Sequence, residues 1–258
     1  MCGRFSLSQE RERVEAHFGV AGIVPYPPRY NIAPTQPILA VTAAPRRPEG
    51  SNLPDREALV MRWGLLPSWV KDPGDFPLLI NARAETAATK ASFRAAMRHR
   101  RCIIPASGFY EWKRDKPGRR SQPFWIRPAD GALVGFAGLH ETWIGPDGSE
   151  IDTCAILTTQ ASPDLAFIHE RVPVTLMPQG YAAWLDCRDR TPADVAALLG
   201  PPPLGFYEAI PVSDRVNKVA NADPSVQQRV QPKPFADPGR TAQGAPAKAD
   251  DDGQGTLL

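Results

Sequence analysis

Arg101-Cys102-Ile103-Ile104-Pro105-Ala106-Ser107-Gly108-Phe109-Tyr110-Glu111-Trp112 contains two apolar runs, 102–105 and 109–113, parted by a small-residue corner. Both runs are short, rich in β-branched and aromatic residues, and read as strands. Further strand-like runs lie downstream at 124–127, 133–139 and 153–159, and Val172 to Leu176 is extended. Upstream, 38–42 and 58–63 read as two strands joined by a polar, proline-rich hairpin connection, and Arg4 to Leu7 is short and extended.

Helices are few. Ser8 is placed to cap a charged helix that runs to Phe18 and closes at Gly19. Another is expected over 87–99, with Phe93 and Met97 four apart on one face. A short one should open at Ser162-Pro163 and end near His169. Two more are expected at 180–186 and 192–199, the second capped by Thr191 and stopped by Gly200. The proline-rich stretch 24–37 reads as an ordered loop crossing the domain. Short strands punctuated by 29 prolines and 20 glycines imply an α+β fold: a curved, mostly antiparallel β-sheet or barrel with flanking helices. No internal repeat is present. One domain is expected over 1–235, followed by a disordered tail at 236–258 rich in Gly, Ala, Asp and Pro.

The 258 residues are 42% hydrophobic and 22% charged, enough for a sizeable core. The tail holds Asp237, Asp250, Asp251 and Asp252 against Arg240 and Lys248, so the net +2 of the chain leaves +4 on residues 1–235. Such an excess permits a nucleic-acid partner without requiring one. Cys2, Cys102, Cys154 and Cys187 form no CxxC and no paired spacing, which suggests neither a zinc site nor a disulfide framework. The last three sit in apolar runs and read as buried, reduced core residues. No signal-peptide pattern follows Met1, and no apolar run approaches the roughly 18 residues of a membrane span. The expectation is a soluble, cytoplasmic protein with no cofactor and no metal.

The chemistry starts at Met1-Cys2-Gly3-Arg4. With Met1 removed, Cys2 carries a free α-amine and a thiol on adjacent carbons, a pair that can close a thiazolidine on an aldehyde. Their unperturbed pKa values, roughly 7.7–8.0 and about 8.5, leave both reactive forms accessible near neutrality. The plain alternative is a small residue beside a processed terminus. Glu111 sits in an aromatic strand where an unpaired carboxylate is costly to bury. Alternation puts Phe109 and Glu111 on one face and Tyr110 and Trp112 on the other, so Glu111 either works as a proton shuttle inside or faces solvent. His169, taken alone, reads first as a structural histidine. Asn81 and Arg83 suit loop capping and a surface charge. Trp63 and Trp69 suit core packing, although tryptophan near arginine also stacks and neutralises single-stranded nucleic acid. The basic runs 98–101 and 113–116 read as solvated faces.

Taken together, these blocks resemble one family. Met-Cys-Gly-Arg-Phe at 1–5, Arg-Tyr-Asn-Ile-Ala-Pro-Thr at 29–35, Met-Arg-Trp-Gly-Leu-Leu-Pro at 61–67 and Ile-Asn-Ala-Arg-Ala-Glu-Thr at 80–86 are similar to the SRAP proteins, the SOS-response-associated peptidase-like sensors of abasic sites. The resemblance continues through the stretch 101–112, Phe-Ala-Gly-Leu-His-Glu-Thr-Trp at 136–143 and Thr-Thr-Gln-Ala at 158–161. It ends with Ile-His-Glu-Arg-Val-Pro-Val at 168–174 and Pro-Val-Ser-Asp-Arg-Val-Asn at 211–217. Val172 and Ser162 depart from the residues common there, and neither is a reacting group.

The resemblance implies a sensor that cross-links through Cys2 to an abasic site in single-stranded DNA. Asn81, Glu111 and His169 would join Cys2 in the chemistry. Arg4 and Arg83 would contact phosphates, and Pro34, Trp69 and Thr158 would shape the strand's path. It also implies self-cleavage of Met1, a weak lyase activity, a monomer, and association with the nucleoid when bound to DNA. Two rivals remain: an N-terminal-nucleophile cysteine amidohydrolase of the glutamine amidotransferase kind, and a passive single-strand binder.

Overall fold

Pro105 and Gly108 mark a corner at which the chain passes from one sheet to another. The computed structural model describes residues 2–114 and 121–233. In chain order the elements are β1 (Phe5–Leu7), α1 (Arg11–Phe18), β2 (Arg29–Ile32), β3 (Pro37–Ala43), β4 (Arg56–Trp63), β5 (Asn81–Arg83), α2 (Ala84–Ala87) and α3 (Arg94–His99). There follow β6 (Arg101–Ala106), β7 (Gly108–Arg114), β8 (Ser121–Pro128), β9 (Val134–Ile144), β10 (Glu150–Gln160), β11 (Arg171–Pro173), β12 (Thr175–Leu176), α4 (Tyr181–Leu185) and β13 (Tyr207–Pro211).

Five strands close a barrel in the order β10-β4-β3-β6-β9 and back to β10. Every pairing in the ring is antiparallel except β10 with β4, where Thr153 lies beside Arg62 and Cys154 beside Trp63. The continuous apolar and threonine run of β10 is buried from Thr153 to Thr159, as expected of a strand covered on both faces. β11 and β5 extend from β10, and β12 from β9. The second sheet has the order β13-β8-β7-β1-β2, all antiparallel. The expected α+β architecture with a mostly antiparallel barrel is therefore present.

The corner at 107–108 shows why the sheets separate there. A Cβ on Gly108 would come within 2.6 Å of the Ile126 carbonyl and 2.8 Å of Trp125 Nε1, so only glycine lets β7 lie this close to β8. Ser107 donates its backbone N–H to Ser6 O at 2.7 Å, and its hydroxyl accepts from Ser8 N at 2.9 Å.

Ser8 is thus engaged with Ser107 and does not cap the first helix. That helix begins at Arg11 behind Glu10, while Gly19 closes it in the left-handed region at φ 64. Of the helix expected over 87–99 only Arg94–His99 is helical, and a separate short helix, Ala84–Ala87, ends where it was to begin. The chain turns at Thr86–Lys90 and again before Phe93, although Phe93 and Met97 do both reach the core. Ser162 accepts the backbone N–H groups of Leu165 and Ala166, a turn that never becomes a helix. Thr191 donates to Asp194 instead of accepting a cap bond, and only 196–199 coils, as a 3₁₀ turn. Within the proline-rich stretch, 29–32 is a strand. Cys187 is half-buried, unlike Cys102 and Cys154. Residues 115–120 and 234–258, including the expected tail, lie outside those described.

β7 is buried on both faces. Phe109 packs edge-on against Phe136 and Tyr207 in the main core. Tyr110 packs with Ile210, Val212, Val216 and Val226 in a satellite cluster. Glu111 is 4% exposed, which removes the solvent-facing alternative. No helix among the described residues is long and apolar enough to cross a membrane.

Candidate active site

The chain enters the fold through β1, so Cys2 lies at the edge of the core with 0% exposure. Phe5 pairs with Phe109 and Ser6 with Gly108, and the ladder continues as Tyr110 N–H donates to Arg4 O at 2.9 Å. That register carries Glu111 to the level of Gly3, beside Cys2. Burial first, and the Glu111 charge second, raise the Cys2 thiol far above its ordinary pKa, so at neutral pH the thiol is protonated. Its Sγ lies 3.7 Å from Arg4 O.

Asn81 reaches Cys2 from the other sheet. β5 runs parallel to β10, with Asn81 beside Ile156 and Arg83 beside Thr158. From there Asn81 Nδ2 donates to Cys2 O at 2.8 Å, while Asn81 Oδ1 is buried without a hydrogen-bond partner. An amide held this way presents one unused acceptor next to the Cys2 backbone.

Arg4 is half-buried, and burial lowers its pKa. Nη1 donates to both Asn31 Oδ1 and Val216 O, each at 2.8 Å, and the guanidinium lies 6.0 Å from the Trp112 ring. Arg4 Nε is buried without a partner.

His169 stands at the end of the 162–169 turn, before β11. Its Nδ1 accepts the Arg171 backbone N–H at 2.9 Å, which leaves Nε2 to carry the proton of the neutral ring. The same turn presses Phe167 against Phe124, the residue paired with Glu111, and under the Lys113 ammonium at 5.4 Å. The turn that ends at His169 is thereby packed against the strands that carry Glu111.

Arg171 is a site residue that the sequence does not single out. Its guanidinium pairs bidentately with Glu85 at 2.7 and 2.9 Å and also donates to Thr158 O at 2.5 Å. Arg171 Nε is a further buried donor without a partner. Thr158 is itself fully buried, so its oxygens serve Arg171 and present no surface. Arg83 is exposed one strand away from Arg171.

Trp63 is wholly buried, with Nε1 donating to Ile80 O at 2.9 Å, whereas Trp69 is 58% exposed and edge-on to Phe76. Pro34 is half-buried in the turn after β2, where Thr35 N–H donates to Trp63 O. Among the described residues no hydrogen bond, ring contact or ion pair links Trp69 or Pro34 to the Cys2 group. The structure brings Cys2, Asn81 and Glu111 together directly, meets Arg4 there only through its backbone oxygen, and links Arg83, Thr158 and His169 through β10, β11 and Arg171.

Arg4 Nε–H, Arg171 Nε–H and Asn81 Oδ1 are all buried without a hydrogen-bond partner. Unpaired buried polar groups are costly. Two guanidinium donors suit anionic oxygens, and the lone acceptor suits a protonated or hydrogen-bearing nitrogen. Among the described residues no group of three or more His, Cys, Asp or Glu is placed to hold a metal ion. A cavity of about 970 Å³ lies elsewhere, lined by Arg56, His99, His140 and Cys187 among others.

A family model described as SOS response associated peptidase (SRAP) matches residues 1–219. The Bacillus subtilis abasic site processing protein YoqW is 39% identical over 88% of this chain and 98% of its own length. The Escherichia coli abasic site processing protein YedK is 35% identical over 89% of this chain and all of its own. The chicken abasic site processing protein HMCES is 31% identical, covering 77% of this chain and 65% of its own. Among solved structures, a Bacteroides thetaiotaomicron protein superposes with a TM-score of 0.78 at 27% identity, over 89% of this chain and all of that one.

Proposed function

The chain belongs to the SOS response associated peptidase (SRAP) family, and on that premise we propose that it processes abasic sites in DNA by covalent capture through Cys2. The observation that carries this reading is the Cys2 group itself. A buried, protonated thiol lies within reach of the Glu111 charge, and the Asn81 amide holds the Cys2 carbonyl with its own Oδ1 unused.

The mechanism begins once the Met1–Cys2 peptide bond has been hydrolysed, either by the protein itself or by an aminopeptidase. The α-amine of Cys2, of which a fraction is free of its proton near neutrality, attacks the C1′ aldehyde of the ring-opened abasic sugar. The carbinolamine then loses water to give an imine. Asn81 Oδ1 is the acceptor that orients the amine hydrogens. Glu111 acts as general base and acid: it takes a proton from the attacking nitrogen, delivers it to the departing hydroxyl, and then removes the thiol proton as Sγ adds to the imine carbon. That proton ends on the ring nitrogen, and the net product is a thiazolidine plus one water.

Because the thiol is held protonated, the amine leads and the sulfur follows. Thiolate-first attack on an amide, as in the amidohydrolase rival, has less support for the same reason. His169 Nε2–H is the donor for the opened sugar hydroxyl and assists reversal. Arg4 and Arg83 contact phosphates, and Pro34, Trp69 and, through Arg171, Thr158 line the strand's path. If the imine persists, β-elimination gives a weak lyase activity, which thiazolidine closure suppresses by consuming the imine. The protein acts as a monomer in the cytoplasm, on single-stranded DNA of the nucleoid.

The test is denaturing electrophoresis of Met1-processed protein with single-stranded DNA carrying one abasic site. Wild type should give a shifted band that Cys2→Ala and an intact-base strand do not. A passive binder would give no such band with either protein, and that outcome rejects the proposal.

A further inference from the structure

The Arg4 guanidinium is held by neutral groups alone. Among the described residues its partners are the Asn31 amide oxygen, the Val216 carbonyl and the Trp112 ring, with no carboxylate. Both hydrogens of Nη1 are used by these two acceptors and Nε is buried, so Nη2 is the donor left to meet a phosphate oxygen.

Asn31 sets this arrangement. It is 4% exposed, and Oδ1 accepts from Arg4. Nδ2 meanwhile donates into three carbonyls, Val216 O at 3.2 Å, Lys218 O at 3.1 Å and Asn221 O at 2.7 Å. Val216 O is thus shared by Asn31 and Arg4. One amide therefore ties the entry strand to a turn more than 180 residues later and fixes the rotation of the guanidinium. A carboxylate at this position would pair with Arg4 and cancel its charge, while setting an oxygen against the three carbonyls that Nδ2 now serves. An amide holds it and leaves the charge available.

We propose that Asn31 is a positioning residue for nucleic-acid capture, fixing Arg4 so that Nη2 and the full charge are available to one backbone phosphate. This deepens the functional reading and rests on Arg4 as a phosphate contact. Arg4, already oriented, loses little side-chain freedom when the strand arrives.

The experiment measures affinity of the full chain for an intact single-stranded oligonucleotide, without an abasic site, across a salt series. Arg4→Ala should lower the magnitude of the slope of log K against log salt by about 0.7, the share of one single-strand phosphate. Asn31→Asp should lower it by the same amount, because the new carboxylate occupies Arg4, and adding Arg4→Ala to it should change the slope no further. Thermal melting checks that each variant is folded. If Asn31→Asp does not fold, Asn31→Ser replaces it, with an expected affinity loss of about fivefold that vanishes in the Arg4→Ala background. A normal slope and affinity in the folded Asn31 variant, with Arg4→Ala impaired, overturns the role of Asn31. No effect of Arg4→Ala overturns the phosphate reading on which it rests.

Discussion

Replacing Glu111 by Gln separates two effects that act in opposite directions on Cys2. Glu111 is 4% exposed and lies beside a fully buried thiol whose pKa its charge helps to raise. Glutamine keeps the volume and removes the charge, so the Cys2 thiol must become easier to ionise. If the thiolate initiated the reaction, the variant would be faster. In the amine-first mechanism, Glu111 supplies the acid for water loss and the base for thiol addition. General acid–base assistance is worth about 10²- to 10⁴-fold, or roughly 3–5 kcal/mol of barrier. The expected outcome is therefore a cross-linking rate lower by about two orders of magnitude or more, together with faster alkylation of Cys2 at a given alkaline pH. Single-turnover cross-linking on quenched denaturing gels gives the first quantity. The rate of iodoacetamide labelling of Cys2 at pH 9 to 10, followed by mass spectrometry, gives the second. Access to the thiol is similar in the two isosteric proteins, so the ratio of labelling rates reports the thiolate fraction. A variant that cross-links as fast as wild type, or faster, refutes the role given to Glu111 and the order of the steps.

Other outcomes concern the groups around the barrel. Arg101 is 1% exposed and donates to the carbonyls of Met97, Trp184, Asp186 and Arg190, with no carboxylate among these partners. Arg101→Met strands these acceptors and should cost about 3–5 kcal/mol in urea denaturation. His140 is pushed down to about 4 by burial, with Arg100 adding to the effect. The unfolded chain then takes up a proton that the folded one refuses, so stability should fall by up to about 3 kcal/mol as pH drops from about 6.5 to 4. His140→Gln should remove that part of an acid denaturation profile. Burial raises the thiols of Cys2, Cys102 and Cys154. Above pH 9 the unfolded chain loses protons that the folded one keeps. Each thiol should therefore cost up to about 1.4 kcal/mol per pH unit there, read from urea midpoints of wild type and Cys→Ala variants.

Strand positions were legible because their signal is local. The run Thr153 to Thr159 and the hairpin of β3 and β4 declare themselves by composition and by the polar connection between them. Closure of the barrel was not legible at that level, since it depends on β10 meeting both β9 and β4. The broken helix at 84–99 and the turn at 162–169 have plausible caps and periodicity. The chain nevertheless turns at 88–93 to bury Phe93, and the second segment folds so that Phe167 meets Phe124.

The residues at the site divide in the same way. The reactive character of Cys2 is a property of an amine and a thiol on neighbouring atoms, and the sequence by itself determines it. Whether Glu111 faced water or the thiol was undecidable from alternation, because β7 is buried on both faces. Its second face is covered by residues near 210–226, a hundred positions later. Asn31 and Arg171 carried no local signal of their roles. Asn31 acquires its role from carbonyls at 216–221, and Arg171 from Glu85 on another strand. Local chemistry is written in adjacent residues. Charge, orientation and unused hydrogen bonds arise only where distant segments exclude water from one another, and that the tertiary structure alone decides.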